Sequence, residues 1–342
     1  MSGEHRDGIT FGYKASAEQF DPSTLLEFAV AAEAAGLDSV AVSDHFQPWR
    51  HSSGHAPNSL VWLGAAGQAT ERVVLASSVL TPTLRYQPPL IAQAFATLAC
   101  LYPGRVILGL GSGEAMNETP ATAAAWPAAK ERRQRLAEAI ELIRALWSGE
   151  RVSFHGHWYQ TDRATIYDRP DTPVPIYLAA SGPLAARLAG RAGDGLICTS
   201  GKNADLYQQL LTAVEDGASA AGRDPAQIER MIEIKVSYDH DLDYAHQACN
   251  WWAALALTPD EKSGIDDPIE LERLADANLD RAHTRFIVSN NPTECAQHIH
   301  WYTQLGFNHL LFHAPGPDQH RFLNQFTTDV LPLLRAQARR DP

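Results

Sequence analysis

Between Asp44 and Trp49 the chain places a carboxylate, an imidazole and an indole: Asp44, His45 and Trp49. An imidazole titrates near neutrality, so this trio suits proton transfer beside a flat ring. A loop cap or an ordinary hydrogen-bonded pair would use the same residues, and the rest of the chain must decide. The run Gly109-x-Gly111-x-Gly113-Glu114 is a second candidate. Its glycines permit close backbone approach to a flat or phosphorylated ligand, and Glu114 could then reach a ring nitrogen. The spacing is not G-x-G-x-x-G and no Gly-Lys-Ser/Thr follows, which argues against a dinucleotide fold or a P-loop. Ser200-Gly201-Lys202, with Lys262 and Arg285, could together hold a phosphate of about −1.5 to −2 charge, although each alone reads as a solvated cation. The pairs His51/His55, His155/His157 and His309/His313 lie in no His-Glu-x-x-His pattern, so no metal site is expected.

The elements that must position these residues alternate. Short apolar runs begin near Ile9, Ser39, Arg72, Arg105, Val174, Gly195, Met231 and His309, and the segments between them carry helical periodicity. Asp21-Pro22 reads as an N-cap followed by Pro at the first helical position, and Gly36 closes that helix. Helices are expected over 57–68, 88–101, 131–147, 206–221, 292–305 and 322–338, the last as one closing helix. A hairpin is expected around His155-Gly156-His157. Eight buried strands with crossover helices give an α/β (β/α)8 barrel over residues 1–342, with insertions near 150–172 and 239–285. In such a barrel the loops after the strands form the site, so Asp44, Ser78, Ser112, Ser181 and Thr199 should converge from five loops.

Composition bounds the partners. The net charge is −12 and hydrophobic residues make up 45% of the 342. This balance argues against nucleic acid and anionic membranes, so an anionic ligand needs a local cationic pocket. No apolar run is long enough to span a bilayer, and the first eight residues lack the apolar core of a signal peptide, so a cytoplasmic protein is expected. Cys100, Cys198, Cys249 and Cys295 are widely spaced and read as buried thiols.

Several stretches resemble the luciferase-like, coenzyme F420-dependent oxidoreductases, in the branch acting on glucose 6-phosphate. They are Gly12 to Phe20, Val42 to His51, Ser78 to Thr83, Ala94 to Thr97, Cys198 to Lys202, Ile265 to Pro268 and Phe312 to Gly316. The resemblance implies a luciferase-like TIM barrel, a homodimer, oxidation of glucose 6-phosphate at C1 to 6-phosphogluconolactone, and hydride transfer to C5 of F420. It implies that Asp44, Ser78, Val79, Thr81, Ser112, Gly113, Asn117, Ser181, Gly182, Ala185 and Ala186 bind the cofactor, and that a non-proline cis peptide joins Ser78 to Val79. It assigns Thr199, Lys202, Lys262 and Arg285 to the substrate phosphate, His45 and Glu114 to acid-base work, and Trp49 to the flank of the reacting carbon. Departures are Ser181 where relatives carry Gly, Ser112 where they carry Thr, and Ser263 where they carry His. The last adjoins the clamp and could relax discrimination among sugar phosphates. Mannose or fructose 6-phosphate as substrate, a secondary alcohol, FMN as cofactor, and a non-catalytic flavin-binding barrel remain alternatives at this point.

Overall fold

The computed structural model describes residues 8–262 and 264–339. Ser263 lies outside them. Strand β1 (Thr10–Ala15) is followed by α1 (Pro22–Ala34), β2 (Ser39–Val42), α2 (Ser59–Ala69), β3 (Val74–Ser77), α3 (Pro88–Leu101) and β4 (Val106–Leu110). Asp21 caps α1 by accepting from the Ser23 and Thr24 N–H groups, which satisfies two of the donors a helix start leaves open. Next come α4 (Ala115–Thr122), α5 (Ala129–Ser148), the antiparallel pair β5 (Val152–His155) and β6 (Gln160–Ala164), then β7 (Ile176–Ala179), α6 (Pro183–Ala192), β8 (Gly195–Thr199), α7 (Ala204–Ala220) and β9 (Glu229–Tyr238). The long excursion holds α8 (Leu242–Ala248), a 3-10 segment Cys249–Ala256, α9 (Pro268–Asp276) and a second 3-10 segment Leu279–Arg285. The chain ends with β10 (Ile287–Ser289), α10 (Pro292–Gln304), β11 (His309–His313), α11 (Gln319–Asp329) and α12 (Leu331–Ala338).

Eight strands close on themselves in the order β9-β11-β1-β2-β3-β4-β7-β8, with β8 returning to β9, and every pairing among them is parallel. Strands β2, β3 and β4 are buried at every residue, as a sheet covered on both faces requires. Alternation sorts them. Ala41, Ala76, Ile107, Tyr177, Ile197, Met231 and Leu311 fill the barrel interior, while Val40, Val42, Leu75, Leu108 and Leu196 join the larger core under the helices. Small residues dominate where the interior is tightest: a Cβ at Gly109 would lie 1.9 Å from the Ser77 carbonyl oxygen.

The structure departs from the sequence reading at four places. The closing helix is two helices, because Pro332 cannot donate to the turn before it and the chain bends at Val330. Helix α4, short, without a side-chain cap and with Pro120 inside it, gave no periodic signal. Strand β10 extends the sheet beside β9 in a segment read as a connection. Cys198, Cys249 and Cys295 are buried, but Cys100 is exposed on α3.

The excursion packs on the loop after β2. Its apolar cluster of Met116, Cys249, Ala253, Ala254, Leu257, Leu271, Ala275 and Ala282 takes in Trp49 and Phe286. Arg50 fixes the contact through Asp276 at 2.7 Å and Glu272 at 3.1 Å, and Glu272 also accepts from the Ser52 N–H.

Candidate active site

The exits of β2, β3, β4, β7 and β8 surround a cavity of about 320 Å³ at the C-terminal face of the barrel. Of the residues singled out in the sequence, Asp44, His45, Ser78, Val79, Thr81, Ser112, Gly113, Glu114, Asn117, Ser181, Thr199 and Lys202 line it. Trp49 stands next to it, its ring 6.2 Å from that of His45. Lys262 lies with its Nζ 5.2 Å from the Trp49 ring centre, a cation-π distance. Gly182 opens α6, and the Ala186 N–H donates to the Gly182 carbonyl. The Ala186 side chain is buried in the core, and Ala185, partly buried, packs against that core.

Glycine and backbone shape one wall. The Ser78–Val79 peptide is cis, and the Ser78 carbonyl accepts from Lys14 Nζ at 2.9 Å. A Cβ at Gly111 would come within 2.7 Å of Val79 Cγ2, and one at Gly113 within 2.6 Å of Thr81 Cγ2. Gly113 has φ of 81°, a region L-residues rarely adopt. The three glycines therefore do different work: Gly109 lets β3 and β4 close up, while Gly111 and Gly113 keep a slot open.

His45 is held at both nitrogens. Its Nε2 lies 3.2 Å from Glu18 Oε1, a residue the sequence reading passed over. Asn117 Oδ1 accepts from the Phe46 and Gln47 N–H groups at 2.8 and 3.1 Å, which turns the Asn117 amide nitrogen toward His45 Nδ1 at 3.2 Å and Glu114 Oε2 at 3.3 Å. Nδ1 also lies 3.2 Å from the Gln47 carbonyl oxygen, so it has both a donor and an acceptor in reach, while Nε2 faces the Glu18 carboxylate. One amide thus joins the two proton-handling groups. Burial alone would raise the Glu18 carboxyl, but the charges of His45 and Lys14 and the Ser43 hydroxyl outweigh it and hold it below its ordinary value. A carboxyl lowered in this way keeps its charge, and its contribution to stability, above the ordinary carboxylate range and loses both only as pH falls through the lowered value.

Asp44 is held by three donors. It accepts from Ser59 Oγ at 2.7 Å, an Arg85 guanidinium nitrogen at 2.6 Å and the Tyr86 hydroxyl at 3.1 Å. Arg85 also meets Glu118 at 2.9 Å, and both carboxylate side chains are at most 1% exposed.

Three cations lie near the same groups. Arg285 donates to the Leu255 and Ser200 carbonyls at 3.2 and 3.4 Å and is a charged neighbour of both Lys202 and Lys262. Burial, aided by Arg285, pulls both lysines below their ordinary value; Cys198 opposes this at Lys202, as Glu114 does at Lys262. The Cys198 thiol on the cavity wall is pushed up to about 12 by burial, so it stays protonated and offers no thiolate chemistry. Lys14, Glu233 and Lys235, to which the sequence reading gave no role, form a buried charged group with His313 at the barrel mouth.

Residues 8–309 match the family model described as Luciferase-like monooxygenase. The chain is 57% identical over 330 residues to an F420-dependent glucose-6-phosphate dehydrogenase of Nakamurella multipartita, covering 96% of this chain and 97% of the relative. It is 58% identical over 333 residues to a protein of the same name from Beutenbergia cavernae, covering 97% and 99%. Among solved structures it is similar to an F420-dependent secondary alcohol dehydrogenase in complex with an F420-acetone adduct, with TM-score 0.90 and 35% identity over 96% of this chain and 99% of that one.

Replacing Arg85 with Met leaves Asp44 and Glu118 buried beside each other without their cation. The expected loss is about 3–5 kcal/mol of unfolding free energy, read by urea denaturation at pH 7. A loss below about 1 kcal/mol, the level of an exposed pair, would mean that the bridge does not carry this corner of the site.

Proposed function

The chain belongs to the luciferase-like family, in the branch of the F420-dependent glucose-6-phosphate dehydrogenases, and we propose that it oxidises glucose 6-phosphate at C1 to 6-phosphogluconolactone with coenzyme F420 as acceptor. One observation carries the proposal: a glycine-walled slot, a linked pair of proton handlers and Lys202 line one cavity, and Lys202 and Lys262 share Arg285 as a charged neighbour. The slot at Gly111 and Gly113, which side chains would fill, fits a flat ring, and the start of α6 beside Ser181 suits the negatively charged tail. Asp44, Ser78, Val79, Thr81, Ser112, Gly113, Asn117, Ser181, Gly182, Ala185 and Ala186 would hold the cofactor. Bound there, F420 supplies a hydride acceptor at its C5.

The protein's own groups do the rest. His45 takes the C1 hydroxyl proton, and the imidazolium so formed is stabilised through Nε2 by Glu18, whose charge is secured against burial by Lys14 and the Ser43 hydroxyl. Glu114 serves the cofactor side, linked to His45 by Asn117. A positioned proton handler contributes about 10²- to 10⁴-fold. Trp49 walls the reacting carbon and Lys262 stands on its ring. Thr199, Lys202, Lys262 and Arg285 hold the phosphate, and this remote binding energy is spent in turnover as well as affinity. The excursion near 239–285 supplies two of these cations and packs on the Trp49 loop, which supports one domain over residues 1–342 with excursions near 150–172 and 239–285. A secondary alcohol substrate, as in the structural relative at 35% identity, would leave the cation cluster without a role.

Homodimer formation is part of the proposal. Val30 on α1, Val61 on α2 and Leu90 and Leu101 on α3 are exposed apolar residues on neighbouring helices, a pattern typical of an interaction face. Light scattering should give twice the mass of the 37.4 kDa chain, and Val61→Glu should shift it toward monomer; a wild-type monomer would refute the dimer. Cytoplasmic location is proposed too, supported by four free cysteines, and cell fractionation tests it.

The activity is tested by bleaching of oxidised F420. Bleaching should require the sugar phosphate, with free glucose at least about tenfold slower, mannose and fructose 6-phosphates ranked beside it, and FMN inactive as acceptor. Bound F420 that is not bleached by any sugar phosphate would overturn the assignment. Glu18→Gln should lower kcat by about 10²-fold or more with little change in KM for the sugar phosphate. A rise in KM at constant kcat would instead put Glu18 in substrate binding. Because Lys202 and Lys262 are depressed, each is charged only below its lowered pKa, so KM should rise on the alkaline side before an ordinary lysine would titrate.

A further inference from the structure

Glu233 lines the cavity and takes no part in the chemistry just described. Resting on the sugar-phosphate reading, we propose that Glu233 is a specificity-determining residue whose carboxylate accepts a hydrogen bond from a ring hydroxyl of the sugar, between the reacting C1 and the phosphate.

Position is the first argument. Strand β9 lies between β8 and β11, and Glu233 is in register with Thr199 on one side and Leu311 on the other. The Glu233 carbonyl accepts from the Ser200 N–H at 2.8 Å. Its carboxylate reaches across the interior to Lys14 on β1, with Oε2 3.4 Å from Nζ. Lys14 is in turn a charged neighbour of Glu18, the partner of His45. A sugar with its phosphate at Thr199 and Lys202 and its C1 at His45 therefore crosses Glu233.

Charge and valence supply the second. An isolated carboxylate here would repel a phosphate ester. Glu233 is neutralised by Lys14 and by Lys235, whose Nζ is 3.2 Å from Oε1, and His313 Nδ1 also lies 3.2 Å from Oε1. A carboxylate has about four acceptor positions. Three are engaged, and the side chain keeps 12% of its surface open, beside a cavity to which Glu233 contributes a wall. Burial would raise its carboxyl, but Lys235, Lys14 and His313 hold it well below the ordinary range, so it meets a ligand only as an acceptor. Hydroxyl groups are the donors a sugar offers. Charge-assisted bonds of this kind discriminate strongly against an analogue that lacks the donor.

The test pairs residue with hydroxyl. Glucose 6-phosphate and its 2-, 3- and 4-deoxy analogues are turned over by wild type, Glu233→Gln and Glu233→Asp, the last keeping the negative charge for the lysines while withdrawing the carboxylate. Calorimetric affinities of the F420-free proteins for the same four ligands give a readout separate from turnover. Wild type should lose at least about tenfold in kcat/KM with one deoxy analogue. Both variants should lose about tenfold with glucose 6-phosphate but under threefold with that same analogue. A uniform loss with all four ligands, or no loss, would overturn the role of Glu233 while leaving the activity standing. Should neither variant fold, wild type that tolerates all three deoxy analogues within threefold overturns it as well. Wild type that turns over none of the sugar phosphates removes the activity reading, and the inference with it.

Discussion

An ion inside a protein survives only with a counter-ion in reach, because removing it from water costs more than packing returns. The mouth of this barrel is built from that constraint. Three carboxylates on or beside the cavity, Glu18, Asp44 and Glu233, are nearly buried, and each has a cation in reach: Lys14 for Glu18, Arg85 for Asp44, Lys14 and Lys235 for Glu233, with His45 Nε2 also on Glu18. The matches cross strands, so they fix the separation of β1, β2 and β9 as well as the rotamers of the groups themselves. His45 is consequently held in place before any ligand arrives, which is where an enzyme gains most from a charged environment. The cation cluster differs. Lys202 and Lys262 each have their charged form disfavoured by burial and by Arg285, a cost that the phosphate of the proposed substrate would relieve.

The excursion after β9 turns this rim into a site. It brings Lys262 and Arg285 over a barrel whose strands alone could not supply them, and it buries Trp49 against its own apolar cluster. The ion pairs of Arg50 with Glu272 and Asp276 hold excursion and loop together. Trp49, Lys262 and Arg285 are thereby tied to the loop that carries His45.

Much of this was legible in the sequence, for physical reasons. Strands buried on both faces write themselves as short β-branched runs, and β11 was read at its observed limits, His309 to His313. The rule that sites lie after strands placed Asp44, Ser78, Ser112, Ser181 and Thr199 together, and the cavity gathers all five. Glu18 also lies after β1, but a single Glu in a loop reads as a solvated charge, and only the fold shows it buried against His45. Lys14, Glu233 and Lys235 did leave a signal: charged residues at buried positions of otherwise apolar strands, spaced by two on β9, so that Glu233 and Lys235 share a face. The joining of His45 to Glu114 by Asn117 was not legible. It depends on α4, a short helix with an internal proline, and on which way one amide turns.

The central claim is that this cavity moves hydride from sugar C1 to the cofactor while His45 handles only a proton. The most direct measurement supplies glucose 6-phosphate deuterated at C1 with oxidised F420 and locates the label by mass spectrometry. The account predicts deuterium in the reduced cofactor and none released to water. Label in the solvent, with only protium gained by the cofactor, would contradict it.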